Sequence, residues 1–184
     1  MDALELLLNR HSCPRLAEPA PAGEQLELIF KAGLRAPDHA TLTPWEFIVF
    51  AGEQRYRLGD ILAAAAEARG EVPEAVDKAR NAPLRAPLVI AVAARVKPHD
   101  KVPELEQHLS AGCALMAMQM AAQAQGFNGI WRSGWFIFDR GVHRQLGLGE
   151  QDQLVGFLYL GTPLMEVRKL PERDPAQFVR YFDR

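Results

Sequence analysis

The segment from about Pro103 to Gln125 constrains this chain more than any other. It reads as the longest helix, and Ala111, Ala114, Leu115, Met118, Ala121, Ala122 and Ala124 leave it little polar surface. A surface helix keeps one face for water, whereas a helix that is apolar nearly all round must be covered by other elements. The tract "SAGCALMAMQMAAQAQG" is interrupted by glutamines. It falls short of the run of about 18 apolar residues that reads as a membrane span. The segment is therefore expected to be the central helix of a folded domain, which must supply a sheet and further helices to enclose it.

Four segments read as strands. "APLVIAVAAR", 86–95, is apolar without interruption, so it should be central and covered on both faces. "WEFIVFAG", 45–52, is rich in aromatic and β-branched residues. "FNGIWRSG" begins as a strand and becomes a loop, and "QLVGFLYLGTP", 153–163, is the last apolar strand. Helices fill the intervals. Asp2 with Glu5 resembles a capping box, which starts a helix near Ala3 with Leu4, Leu7 and Leu8 on one face. Leu26, Ile29, Phe30 and Leu34 predict a second helix over 23–34, ended by Pro37. Further helices are expected over 54–69, from Pro73, where proline suits a first turn, and over 139–146. The tail, 164–184, finishes in "FVRYF", aromatics that need a surface to pack on. This irregular mixture implies an α+β fold with a large helix against the sheet. With no repeat and no break in composition, residues 1–184 read as a single domain.

Bulk properties exclude several functions. A net charge of −2 leaves no basic field for nucleic acid, so any anion must be met by a local cluster. Cys13 and Cys113 form no CxxC and no zinc spacing. They suit a reduced, cytoplasmic chain. "MDALELLLNR" has no apolar core of secretory length, so neither a leader nor a membrane association is expected. The histidines show no HxxxH spacing, and no metal site is expected. The P-loop, GxGxxG and GxSxG signatures are absent, which argues against a Rossmann nucleotide fold and an α/β-hydrolase.

Chemistry-bearing residues gather in four places. Arg10, His11 and Ser12, with Arg15, close the first helix. "LRAPDHATLTPW" holds Arg35, Asp38 and His39, "GIWRSG" holds Trp131, Arg132 and Ser133, and "LYLGTP" ends the last strand. Guanidinium with hydroxyl suits a phosphate or a ring carbonyl. Ordinary explanations also fit each cluster. Arg10 and Arg15 suit a helix end, Asp38 and His39 a turn, and Trp131 a core. Residue types alone leave both readings open.

Taken in order, these clusters resemble the nitroreductase-like FMN oxidoreductases, in their short bacterial YdjA-like branch. "LLLNRHSCPRLAE", "AGLRAPDHATLTPWEFIVF", "SAGCALMAMQMAAQAQGFNGIWRSG" and "VGFLYLGTP" carry the resemblance over nearly the whole chain. It implies a mixed, mainly antiparallel sheet flanked by helices, in an intertwined homodimer with FMN at the interface. It implies that Arg10, His11 and Ser12 contact FMN, that Arg35 and His39 reach the FMN of the partner subunit, and that Trp131, Arg132 and Ser133 complete the pocket. It places NADH or NADPH near Ala121, Ala122, Gln123, Ala124, Gln125 and Gly126. The implied reaction is ping-pong reduction of nitroaromatics, quinones or similar acceptors, with the flavin performing the chemistry and no catalytic side chain. A flavin-storage dimer, a plain structural dimer and a deiodinase-like reductase are the alternatives. The chain departs from the family pattern where Pro14 replaces a cation, where Asp38, Thr41 and Thr43 stand for other polar residues, and where Arg168 and Lys169 match a terminal cation pair poorly.

Overall fold

A computed structural model describes residues 2–164 and 171–182. The core is organised by the apolar strand. Leu88–Ala94, here β3, lies between β2, Trp45–Ala51, and β5, Gln153–Pro163, antiparallel to both. All seven of its residues are buried, as the uninterrupted apolar run requires. Because side chains alternate along a strand, β3 feeds two cores at once. Val89, Ala91 and Ala93 point into one layer with α3, Gln54–Ala68, α4, Pro73–Asn81, and α6, Arg140–Gln145. Leu88, Ile90, Val92 and Ala94 point into the other with α2, Gly23–Gly33, and α5, Glu104–Ala124. Each fully buried large aliphatic side chain contributes about 1.5–3 kcal/mol.

β5 carries β3 on one edge and two strands in succession on the other. β4, Asn128–Arg132, pairs from Asn128↔Gly161 to Arg132↔Phe157, and the two-residue β1, Leu16–Ala17, continues with Ala17↔Thr162 and Leu16↔Pro163. The sequence gives no signal for so short a strand. Every ladder among the described residues is antiparallel, so the expected mixed pairing is not seen among them. The connections explain this. The α3–α4 pair returns the chain to the end of the sheet it left, which makes β3 antiparallel to β2. The single helix α5 carries it across, so β3 and β4 run the same way, but on opposite edges of β5.

The first helix, α1, spans Ala3–Asn9, and Glu5 N donates to Asp2 Oδ1 at 2.9 Å, as its capping pattern predicts. Its apolar face is nevertheless uncovered, with Leu4 and Leu8 69% and 77% exposed. The long helix is also only half enclosed. Ala111, Ala114, Leu115, Met118 and Ala122 are fully buried, while Leu105 and Leu109 are 65% and 60% exposed. A helix apolar all round has two faces to cover, and this chain covers one. The described part of the tail, including Phe178, Tyr181 and Phe182, is exposed as well.

Gly59 marks where α3 passes closest to the end of α4, since an added Cβ would overlap the Arg80 carbonyl oxygen. Gly59→Ala should therefore destabilise the fold by about 1–3 kcal/mol through overpacking, despite alanine's better helix propensity. Thermal unfolding checks it. The midpoint should fall by about 2–4 °C per kcal/mol for a domain of this size.

Candidate active site

The site is assembled on β4. After α1 the chain runs extended, and Cys13 N donates to the Gly129 carbonyl at 2.9 Å. His11 takes part in the same docking. Its Nδ1 lies 3.1 Å from the Asn9 carbonyl and its Nε2 lies 2.8 Å from Asn128 Nδ2. Those bonds fit one neutral tautomer, Nδ1–H donating and Nε2 accepting. The glutamines that interrupt the apolar tract of α5 serve here. Gln119 Nε2 donates to the Gly129 carbonyl at 2.9 Å and, more loosely, to His11 O at 3.5 Å, while Gln123 Nε2 reaches Asn9 O at 3.5 Å. Residues 10–12 are thus tied to the strand that carries residues 131–133. Both ring nitrogens of His11 are engaged within the chain, so its side chain acts as a strut rather than an open ligand group. Arg10 is half-buried and Ser12 exposed.

Trp131 is neither plain core nor free surface. Its ring is slotted between Gly112 and Gly156, where a Cβ would lie 3.4 Å from the ring at the first and overlap it at the second. Trp131 Nε1 donates to Val155 O at 3.3 Å, yet the residue stays 40% exposed. The Arg132 guanidinium stands 5.6 Å from the centre of the Tyr159 ring, and its Nε is buried without a hydrogen-bond partner. Ser133 is exposed, and Gly134, at φ 75°, turns the chain into a short 3-10 helix, Trp135–Phe138.

Trp131, Arg132 and Ser133 line a cavity of about 550 Å³ between the β4–β5 edge and the helices α3 and α4. Of its other walls, Tyr159 lies in the "LYLGTP" cluster, whereas the sequence reading missed Lys78, Arg85, Trp135 and Phe136. The aromatic run "WFIF" after Gly134 was a usable signal. Lys78 and Arg85 had none, because a lysine in a helix and an arginine in a turn look ordinary until α4 is folded over the sheet. Arg10, His11 and Ser12 are not among the walls. Burial pushes the Tyr159 phenol up to about 12, with Arg132 and Arg85 pulling the other way.

Arg35 and His39 lie elsewhere. Asp38 accepts from Leu42 N at 3.1 Å and Thr43 N at 2.8 Å, a turn role, and folds the short helix His39–Thr41. Ala40, Thr41 and Thr43 sit at φ 60°, 52° and 48°, a region costly for non-glycine residues. Ser110 holds this loop to α5. It donates to Pro37 O at 2.6 Å and accepts from Trp45 Nε1 at 2.8 Å. His39 Nδ1 meets Glu106 Oε2 at 2.7 Å. Arg35 is exposed, and neither residue contacts the Arg10 packet or lines the cavity within its own chain.

The expected nicotinamide segment, 121–126, is the C-terminus of α5. Ala122 is wholly buried, and Gln123 is buried. Gln125 Nε2 is bonded to Ala121 O and Gln25 O. Only Ala124 and Gly126 are exposed. Buried side chains cannot meet a ligand, so Ala122 and Gln123 leave the expected set, while the half-buried Ala121 and Gln125 stay in it with Ala124 and Gly126. Arg168 and Lys169 lie outside the described residues. Among the described residues, no group of three His, Cys, Asp or Glu side chains could hold a metal ion, and no helix is long and apolar enough to cross a membrane.

Comparison with known proteins decides the family. The nitroreductase family model matches residues 7–162. The chain is 56% identical over 183 residues to "Putative NAD(P)H nitroreductase YdjA" of Escherichia coli (strain K12), covering 99% of this chain and all (100%) of that protein. The chain belongs to the nitroreductase family. Solved structures agree on the fold. A nitroreductase-like family protein from Bacillus cereus superposes with a TM-score of 0.84 at 18% identity, covering 100% of this chain and 97% of that one. A protein from Desulfovibrio desulfuricans, crystallised in complex with FMN, gives 0.76 at 21% identity, covering 100% and 98%. The YdjA-like resemblance and the α+β nitroreductase fold both hold.

Tyr159 makes a pH prediction within this nitroreductase fold. Its folded pKa lies above the ordinary 10.0, at about 12, so the folded chain holds that proton more tightly. The associated stability is complete below the unfolded value and is lost as pH rises through the folded one. Unfolding free energy should fall by about 2–3 kcal/mol across this window. Denaturant titrations at mildly and strongly alkaline pH should show this loss in the wild type and much less of it in Tyr159→Phe.

Proposed function

We propose that this nitroreductase-family chain is an NAD(P)H-dependent FMN oxidoreductase acting on nitroaromatics, quinones or similar electron-poor acceptors. One observation carries the reading. The bond from Cys13 N to Gly129 O, with the His11–Asn128 contact, ties the Arg10–Ser12 packet to the strand bearing Trp131–Ser133. Groups suited to a phosphate are thereby held against the strand that carries groups suited to a flat ring. The residues present fit FMN. Arg10 and the Ser12 hydroxyl offer charge-assisted donors for the phosphate. Trp131 offers a flat face held by its two glycines, and the buried, unpartnered Arg132 Nε is a donor waiting for an acceptor.

FMN, when bound, supplies the two-electron carrier through which NAD(P)H and the acceptor react in turn. The protein's own work is binding, orientation and charge. Arg10 and Ser12 anchor, Trp131 borders the ring, and Arg132 places positive charge where negative charge develops. Ala121, Ala124, Gln125 and Gly126 are the members of 121–126 left to meet the nicotinamide cofactor. No side chain is required as an acid or base.

The functional unit is a homodimer in the cytoplasm. The uncovered faces of α1 and α5 and the exposed aromatic tail are apolar surfaces of a kind a monomer rarely leaves open. A second copy covers them. Arg35 and His39, held on a fixed loop away from their own cavity, reach the FMN of the partner subunit in this arrangement.

Two experiments test this. The purified protein should be yellow, and Arg10→Ala should weaken FMN by about 1.5–3 kcal/mol, the worth of a hydrogen bond to a charged group. An unchanged dissociation constant would remove Arg10 from the site. The second uses a mixed dimer with Arg10→Ala in one chain and Arg35→Ala with His39→Ala in the other. A shared site leaves one pocket intact and one stripped, so half the FMN sites should return. Two equally damaged pockets would place all the ligands in one chain.

A further inference from the structure

We propose that His143, together with Gln153, is a positioning residue of the flavin site, holding the Ile137 carbonyl so that Trp135 and Phe136 stand as a wall of the cavity. The proposal rests on the FMN reading and extends it to a side chain that lines no part of the cavity. His143 lies on α6 and is 1% exposed. Its Nε2 lies 2.8 Å from Ile137 O, and its Nδ1 lies 2.7 Å from Arg140 Nη1. A carbonyl only accepts and a guanidinium only donates, so the ring is the neutral tautomer with Nε2–H donating and Nδ1 accepting. Arg140 Nη1 also donates to Asp152 O at 2.7 Å, and from the next residue Gln153 Nε2 donates to the same Ile137 O at 2.6 Å. Side chains from α6 and from the start of β5 thus converge on one carbonyl.

That carbonyl belongs to the short 3-10 helix Trp135–Phe138. So short a helix has little stability of its own. Gly134, at φ 75°, separates it from β4, so the strand does not dictate its direction. Apolar packing keeps Ile137 in the core but is non-directional and leaves the rotation of the turn open. Bonds to the Ile137 carbonyl fix that rotation, and with it the rings of Trp135 and Phe136. Those rings lie 4.0 Å apart and line the cavity with Trp131, Arg132 and Ser133, and the Arg69 guanidinium stands 4.4 Å from the Trp135 ring. A buried imidazole costs free energy unless it is bonded, and an aliphatic side chain would fill the same space without that cost. What the imidazole adds is the directed bond to the wall.

The test first reads the wall in the flavin-free chain. With fluorotryptophan incorporated, fluorine NMR should resolve Trp45, Trp131 and Trp135, and Trp135→Phe assigns the last. His143→Leu keeps the bulk and removes the donor, so the Trp135 resonance should shift or broaden. Trp45, bonded to Ser110, should hold its place. His143→Gln, whose amide can reach the same carbonyl, should restore the wild-type signal. The second reading is FMN affinity, from quenching of flavin fluorescence. It should fall about three- to tenfold in His143→Leu, the scale of one aromatic contact, and recover in His143→Gln. In a chain already carrying Trp135→Leu with Phe136→Leu, His143→Leu should cost nothing further, because it acts through the wall. Gln153→Leu removes the other donor at a half-buried position, and it should move the Trp135 signal and the affinity the same way even where His143→Leu does not fold. An unmoved Trp135 resonance, a failed rescue by glutamine or an undiminished loss in the wall-less chain would overturn the proposal. A wild-type chain that takes up no FMN would defeat the flavin reading instead, and the fluorine signal would still decide whether His143 holds the wall.

Discussion

A strand buried on both faces cannot stand at the margin of a fold, and β3 forces the rest of this one. Its alternate side chains enter two separate cores, so helices must cover both sides of the sheet. The α3–α4 pair covers one side and brings the chain back. The single helix α5 covers the other and carries the chain across to β4. The placement of β4 on the outer edge of β5 follows from that crossing, and the candidate site follows from β4.

Glycine and glutamine do the local work at the site. Gly112 and Gly156 flank the slot that Trp131 occupies, and a side chain at Gly156 would expel the ring. Gln119 and Gln123 look like flaws in an apolar helix, yet their amides hold carbonyls of the Arg10 packet and of β4. A buried carbonyl without a donor is costly, so these polar interruptions are a requirement of the docking. Only after it are Arg10 and Ser12 neighbours of the strand that carries Trp131, Arg132 and Ser133.

The uncovered surfaces obey the same physics as the buried ones. α1, the outer face of α5 and the aromatic tail expose leucine, methionine and phenylalanine that water does not favour. The proposed homodimer would turn that cost into an interface.

Periodicity and punctuation alone determined much of this protein. The capping pair Asp2–Glu5, the helical spacing of Leu26, Ile29 and Phe30, and the unbroken apolar run of β3 each act within a few residues, so they are legible without a fold. The order of the four motif segments likewise pointed to the family. Tertiary structure decided what depends on distant parts meeting. The two-residue β1 exists only because β5 offers it an edge. His11 became a strut because Asn128 stands beside it, and Ala122 was removed from the ligand-facing set by the sheet it packs on. Lys78 and Arg85 became cavity walls because α4 and the turn after it lie over β4 and β5. Charge and hydrogen bonding across space carry no sequence period, which is why those roles appear only once the chain has folded.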